Sequence, residues 1–330
     1  MERTRRIIDL FLVSVLLDAG AGDTWSYLDP LTKENYNRTE GLAVASYNMF
    51  CNGIFSSDKS NPYQVDACAL ENLSVEKLAQ GFQATADNPI AGLKGRSELM
   101  RCLGQSLQSS SEIFGRKGRP GYIIDYILSD PSSLKTRFGY EVQIPVLWNA
   151  LMNGLIPIWP TGRAQINGQP LGDAWPSKIL GGEGDKSIVP FHKLTQWLCY
   201  SLMVPMSRLA NVIWIGSELL TGLPEYRNGG LLIDLGLLEL KEAPYTRGIK
   251  CFEAQKVKGE KVPMFTPDDD VIVEWRAVTV GMLDRIRDGI NNKLGAKLSL
   301  AQCLEAGTWK VILFKPLFKI FTRGRSVSFY

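Results

Sequence analysis

Apolar side chains recur at helical spacing through most of the chain. Ile7, Ile8, Phe11, Leu12, Val15 and Leu16 fall on one face and predict an amphipathic helix over residues 4–18. The run Asn37–Phe50 predicts a capped helix start followed by an apolar helix, and further helices are expected at 73–81, 93–107, 122–128 and 146–155. Residues 191–222 form the most strongly apolar helical stretch, with Pro205 expected to break it in two. Another helix is expected from 229 to 238, beginning beside Arg227 and Asn228, and a long one from Val271 to Leu294 behind the cap Asp268-Asp269-Asp270.

Two stretches lack this rhythm. Ser109–Gly121, rich in Ser, Gly, Arg and Lys, predicts a surface loop. Pro157–Pro190 is punctuated by proline and glycine but holds Ile158, Trp159, Leu171 and Trp175, which favour an ordered flap leading to Lys193. Residues 243–270 are mixed, and a small β element is allowed near 246–264. The fold class is therefore mainly α, a single compact helical domain over 1–309, followed by a basic and apolar tail at 310–330.

Composition narrows the function classes. The chain has 330 residues, 45% of them hydrophobic, enough for a sizeable core. A net charge of +3 gives no field that would argue for nucleic acid or membrane as the main partner. Met1–Arg6 is basic and Leu10–Leu17 apolar, which imitates a secretory leader, but Asp9 and Asp18 interrupt it and the helical spacing favours a buried helix. Six scattered cysteines without a Cys-x-x-Cys pair read as reduced thiols, in keeping with a cytoplasmic location. With His192 as the single histidine, a zinc or non-haem iron site is not expected. There is no Walker A loop or Gly-x-Gly-x-x-Gly fingerprint, and no cofactor is expected.

Carboxylate and lysine chemistry remains. Glu225, Tyr226, Arg227 and Asn228 stand side by side between apolar flanks, followed by Gly229 and Gly230. Lys193 follows His192 and precedes Trp197 in the other candidate stretch. A carboxylate can stabilise the oxocarbenium-like cation of glycosidic cleavage and activate water, while a lysine orients it and binds the leaving group. The helix start at Gly229 and Gly230, with Arg227, would suit an anion. Asp18, Asp23 and Trp25 lie on a glycine-shaped turn, either as capping residues or as ligand contacts, and Glu40 either completes a cap or faces a pocket. A Schiff base through Lys193 is a further route.

Several of these stretches carry a resemblance. Leu16–Tyr27, Glu40–Ser46, Val189–Trp197, Leu223–Asp234 and Val273–Val280 resemble the uracil catabolism protein 4 family across most of residues 5–309. The resemblance implies a part in uracil degradation, with a small-molecule substrate, a ribosyl-urea or related nucleotide, and pathway enzymes as further partners. The reaction expected from it is cleavage of the N-glycosidic bond of a ribosyl-urea, its 5′-phosphate in particular. The alternative is a non-catalytic nucleotide-binding or scaffold protein of that pathway. A ureide amidohydrolase ranks third.

Phe191-His192-Lys193 and Glu225-Tyr226-Arg227 are also similar, in type and spacing, to motifs of the queuosine 5′-phosphate N-glycosidase family. That likeness implies a DNA-glycosylase-like helical fold, with Glu225 at the catalytic carboxylate and Lys193 at its lysine; the family has Asp where this chain has Glu225. Asp18, Asp23, Trp25, Glu40, His192, Trp197, Tyr226, Arg227 and Asn228 are the expected substrate contacts. Compared with the family, an N-terminal region is expected to be absent before Met1, and Lys310–Tyr330 diverges.

Overall fold

The computed structural model describes residues 1–22, 24–159, 164–182, 184–254, 261–306 and 328–329. They are mainly helical and divide into two compact units, Met1–Thr161 with Trp197–Ser217, and Gly162–Gln196 with Glu218–Tyr330. Among the described residues no helix is long and apolar enough to cross a membrane.

In the first unit, helix Glu2–Leu17 buries Ile8, Leu12 and Leu16 of the predicted face, but its buried stripe is turned toward Val13 and Leu17, leaving Ile7, Phe11 and Val15 only half-buried. It packs on helix Arg38–Cys51 and on the turn Pro120–Tyr122. Helix Leu93–Ser109 packs on Ala67–Glu71 and Val75–Gly81, whose starts are capped by the Asp66 and Ser74 side chains. The expected segments near 122–128 and 146–155 are the helices Ile123–Ser129 and Ile144–Gly154.

The segment 109–121 is not a surface loop. It contains the short helix Ser111–Phe114, and Ile113, Phe114, Arg119 and Pro120 are buried. The cause lies far away in sequence. Asp9, fully buried on the first helix, accepts hydrogen bonds from Arg119 Nε and Gly121 N, each at 2.7 Å. Satisfying that carboxylate pulls a polar segment inward.

Pro205 does not break its helix, which runs without interruption from Lys193 to Ala210. A proline inside a helix removes one hydrogen bond and costs about 3 kcal/mol. Burial of Leu198, Cys199, Leu202 and Met206 along one face offsets it. The helix also stops earlier than expected. Val212–Ile215 is a strand, paired in parallel with Gly139–Gln143, which pairs antiparallel with Leu134–Thr136. Its β-branched and aromatic residues suit a pleated surface.

The second unit begins with the flap. Gln165–Ile166 pairs with Gln169–Pro170, and Ala174–Pro176 pairs antiparallel with Ile188–Pro190, so this stretch carries regular backbone pairing. Among the described residues near 246–264, where the sequence allows a β element, Glu242–Ala254 is helical and the strand is Met264–Phe265; residues 255–260 lie outside the described residues. Phe252 packs there with Val262 and Met264, which fixes the helical register. Helix Asp270–Leu294 starts where the Asp269 side chain accepts from Val271 N, and helix Leu300–Leu304 packs on it through Leu283. Apart from residues 328–329, the tail 310–330 lies outside the described residues.

Candidate functional site

The chain turns sharply just before Lys193. His192 has a left-handed backbone, φ 47°, and the N–H groups of Phe191 and His192 both donate to the Asp173 carbonyl at 2.9 Å. Left-handed backbone outside glycine is uncommon, and such positions cluster where function constrains geometry. Lys193 is then the first residue of its helix, and its own N–H donates to Asp173 Oδ2 at 3.0 Å.

Glu225 occupies the N-cap position of helix Tyr226–Asp234, with extended backbone (φ −139°, ψ 167°). Its carbonyl accepts from Asn228 N and Gly229 N, and its side chain does not cap the helix. That side chain instead meets Lys193: Nζ to Oε2 is 2.6 Å. Lys193 is 39% exposed and Glu225 20%. Solvent screens a pair this open, so its contribution to stability is on the order of 1 kcal/mol or less. The same openness leaves both groups within reach of a ligand.

The helix itself begins three residues earlier than expected, which changes the meaning of its glycines. Gly229 and Gly230 lie inside it and are buried. A Cβ on Gly229 would sit 2.7 Å from the Trp275 ring and collide with Thr279 Oγ1, and one on Gly230 would sit 2.9 Å from the Tyr226 ring. Gly229 answers to close packing on helix Asp270–Leu294, and Gly230 to the Tyr226 ring of its own helix. Trp275 Nε1 donates to Gly229 O at 3.2 Å, and the Tyr226 and Trp275 rings are 6.5 Å apart. Asn228 is buried, and its Nδ2 donates to Leu223 O at 2.8 Å, closing the turn that presents Glu225. Tyr226 and Arg227 are exposed.

Behind this pair stand two residues that sequence reasoning missed. The Asp173 carboxylate accepts both terminal nitrogens of Arg276, at 2.9 and 2.7 Å, and Trp175 Nε1 at 2.7 Å. Burial alone would raise its pKa, but the Arg276 hydrogen bonds and charge, with Trp175 and the Lys193 amide, bring it down to about 2. Arg276 Nε donates to Pro224 O at 3.1 Å, and its guanidinium lies 4.1 Å from the Phe191 ring centroid. Burial lowers the His192 pKa, while the Asp173 charge works the other way.

The other expected contacts belong to the first unit. Asp18 is half-buried on a turn whose carbonyls, at Ala19 and Gly20, accept from the buried Arg96 side chain, which also reaches Leu17 O and Ala91 O. Trp25 is 1% exposed and donates to Phe82 O at 2.9 Å, edge-on to the Phe82 ring. Glu40 is exposed in the first turn of its helix, and Trp197 is half-buried. Asp23 lies outside the described residues. That unit also holds a polar cavity of about 360 Å³, lined by Arg6, Asp58, Gln64, Asp66, Lys117 and Arg119 among others. Among the described residues no three His, Cys, Asp or Glu side chains gather as a metal site would need, and the six cysteines are free thiols.

Comparison with known proteins gives this arrangement a lineage. The family described as "Protein of unknown function (DUF1688)" matches residues 1–311. The chain is 45% identical over 319 residues to "Uracil catabolism protein 4" of Lachancea kluyveri, covering 94% of this chain and 72% of that protein. The chain belongs to this family. "Protein urg3" of Schizosaccharomyces pombe is likewise 45% identical over 315 residues, covering 94% of this chain and 70% of its own length. In this member of the uracil catabolism protein 4 family, the Lys193 and Glu225 stretches meet within one unit. Val273–Val280 contributes Arg276, whose role its own neighbourhood in sequence did not suggest. Asp173, between Gly172 and Trp175, carried one usable signal: an acid beside an indole in a segment too rich in aromatics to be an idle loop.

Proposed function

We propose that the chain is an N-ribosyl hydrolase of uracil degradation that cleaves a ribosyl-urea, as its 5′-phosphate, to urea and ribose 5-phosphate. The observation that carries this reading is the open 2.6 Å pair of Lys193 Nζ and Glu225 Oε2. The names of the two relatives support the pathway, and the likeness of both motifs to a nucleotide N-glycosidase family supports the reaction. That likeness also carries the expectation of a DNA-glycosylase-like arrangement of helices.

In this mechanism the C1′–N bond breaks and its electron pair leaves with the urea nitrogen. Lys193 gives that nitrogen a proton. The Glu225 carboxylate faces the oxocarbenium-like ribose cation and takes a proton from the water that adds to C1′. Glu225, hydrogen-bonded to Lys193, returns that proton to the amine, which restores both groups. Exposed Arg227 at the start of its helix suits the phosphate.

The test is incubation of purified protein with ribosyl-urea 5′-phosphate, following urea and ribose 5-phosphate by mass spectrometry. Release of both products in equal amounts is expected, with a loss on the order of 10³-fold in Glu225→Gln. Full turnover by that variant removes Glu225 from the chemistry. Ammonia release with the glycosidic bond intact would point to an amidohydrolase, and binding without product to a pathway binding protein.

A further inference from the structure

We infer that Asp173 and Arg276 are positioning residues, which together set the separation of Lys193 and Glu225. This rests on the proposed role of that pair, although its geometry is independent of the reaction.

The two functional residues come from segments with no regular structure in common. Lys193 begins a helix after the flap, and Glu225 caps a different helix. Their long side chains can meet in many ways, so a fixed 2.6 Å contact needs fixed backbones. Asp173 supplies one anchor. Through its carbonyl and Oδ2 it accepts three successive N–H groups, those of Phe191, His192 and Lys193. That grip holds His192 in its left-handed conformation and so sets where Lys193 leaves the turn.

Arg276 supplies the other anchor. Two edges of one planar guanidinium serve different partners: Nη1 and Nη2 meet the Asp173 carboxylate, and Nε meets Pro224 O, the carbonyl immediately before Glu225. The Phe191 ring fixes the orientation of that plane. A rigid path therefore runs from Lys193 N through Asp173 Oδ2 and the guanidinium to Pro224 O. Lysine at 276 would keep the charge, but it has no planar fork to span both partners. Stability alone is a poor reason for this arrangement, because a buried ion pair often adds little over an apolar replacement.

The experiment reads Lys193 directly. A brief acetic anhydride pulse on folded full-length protein is followed by peptide mass spectrometry in wild type, Glu225→Gln, Arg276→Lys and Asp173→Asn. Lys193 in wild type is protected by its carboxylate partner, and Glu225→Gln gives the unprotected rate. Arg276→Lys and Asp173→Asn are expected to raise Lys193 acylation about fivefold toward that rate, the scale of a half-exposed ion pair. Lys178, exposed on the same unit, serves as the control and should not change. A merely structural role would raise both lysines together, and that outcome overturns the inference, as does an unchanged Lys193 rate in variants with native circular dichroism. Because labelling needs no turnover, a selective Lys193 response in a protein that hydrolyses nothing would keep the positioning role and reject the hydrolase reading. Hydrolysis with no labelling response would do the reverse. If both hold, Arg276→Lys should lower kcat with little change in KM.

Discussion

Each unit contains a buried Asp–Arg pair, and the two are built differently. In the first unit, Asp9 is wholly enclosed and receives one guanidinium N–H, from Arg119 Nε, with backbone N–H groups of Gly121 and Val65 also turned to it. The terminal nitrogens of Arg119 turn to Glu2, at 3.3 and 2.9 Å. In the second unit, Asp173 receives both terminal nitrogens of Arg276, the Trp175 indole and the Lys193 amide. Burial pushes the Asp9 carboxyl up to about 7 in spite of Arg119, whereas the donors around Asp173 overcome burial and bring it to about 2. Proximity of an arginine does not decide the state of a buried acid. The number of guanidinium N–H groups aimed at it, weighed against complete desolvation, separates these two. The first pair draws a segment into the packing, and the second connects the backbones that carry Lys193 and Glu225.

The sharpest way to break the comparison is to neutralise each acid without changing its shape. Asp9→Asn must turn an NH₂ toward either Arg119 Nε or Gly121 N, at a site closed to bulk solvent. A loss of about 3–5 kcal/mol is expected from urea unfolding midpoints. Asp173→Asn faces the same conflict at a site only slightly more open, and about 3 kcal/mol is expected. The two should part at Lys193, whose acylation responds to Asp173→Asn and ignores Asp9→Asn. Equal responses would erase the distinction between a packing lock and a positioning pair.

The pH dependence of stability should carry opposite signs from the two acids. Asp9 binds its proton more tightly when folded than when unfolded, so its contribution falls as pH rises between about 4 and 7, at up to about 1.4 kcal/mol per pH unit. Asp173 binds its proton less tightly when folded. Its contribution, about 2 kcal/mol, is complete above pH 4 and is lost as pH falls toward 2. Denaturation of wild type, Asp9→Asn and Asp173→Asn across pH 2–8 separates them. The first variant should flatten the upper window and the second the lower one.

Neither pair could be read from the sequence, because the partners lie 110 and 103 positions apart. What was legible was local. The helix Glu2–Leu17 shows in its apolar rhythm, and Asp269 announces the helix behind it. Lys193 and Glu225 stood out because each sits among other chemistry-bearing residues. The strand Val212–Ile215 was hidden because its partner, Gly139–Gln143, is remote and its apolar run continues that of the preceding helix. Gly229 and Gly230 suggested an anion site, and only Trp275, Thr279 and Tyr226 reveal their packing role. The division into units left no compositional mark either, since one boundary, between Gln196 and Trp197, falls inside a helix.

The finest test concerns Glu2, the acid that shares Arg119 with Asp9. It is 43% exposed and also meets Arg5 and Arg6, so each of its ion pairs is screened. Glu2→Gln should therefore cost less than about 1 kcal/mol, and the loss should shrink further in 0.5 M salt. Its informative effect is on Asp9. With the competing anion gone, Arg119 acts on Asp9 alone, and one nearby negative charge no longer opposes its ionisation. The Asp9 pKa should fall, and the upper window of the stability profile should move to lower pH. An unmoved window would mean that desolvation alone holds Asp9 up. In that case the contrast with Asp173 comes from enclosure rather than from how each arginine divides its donors.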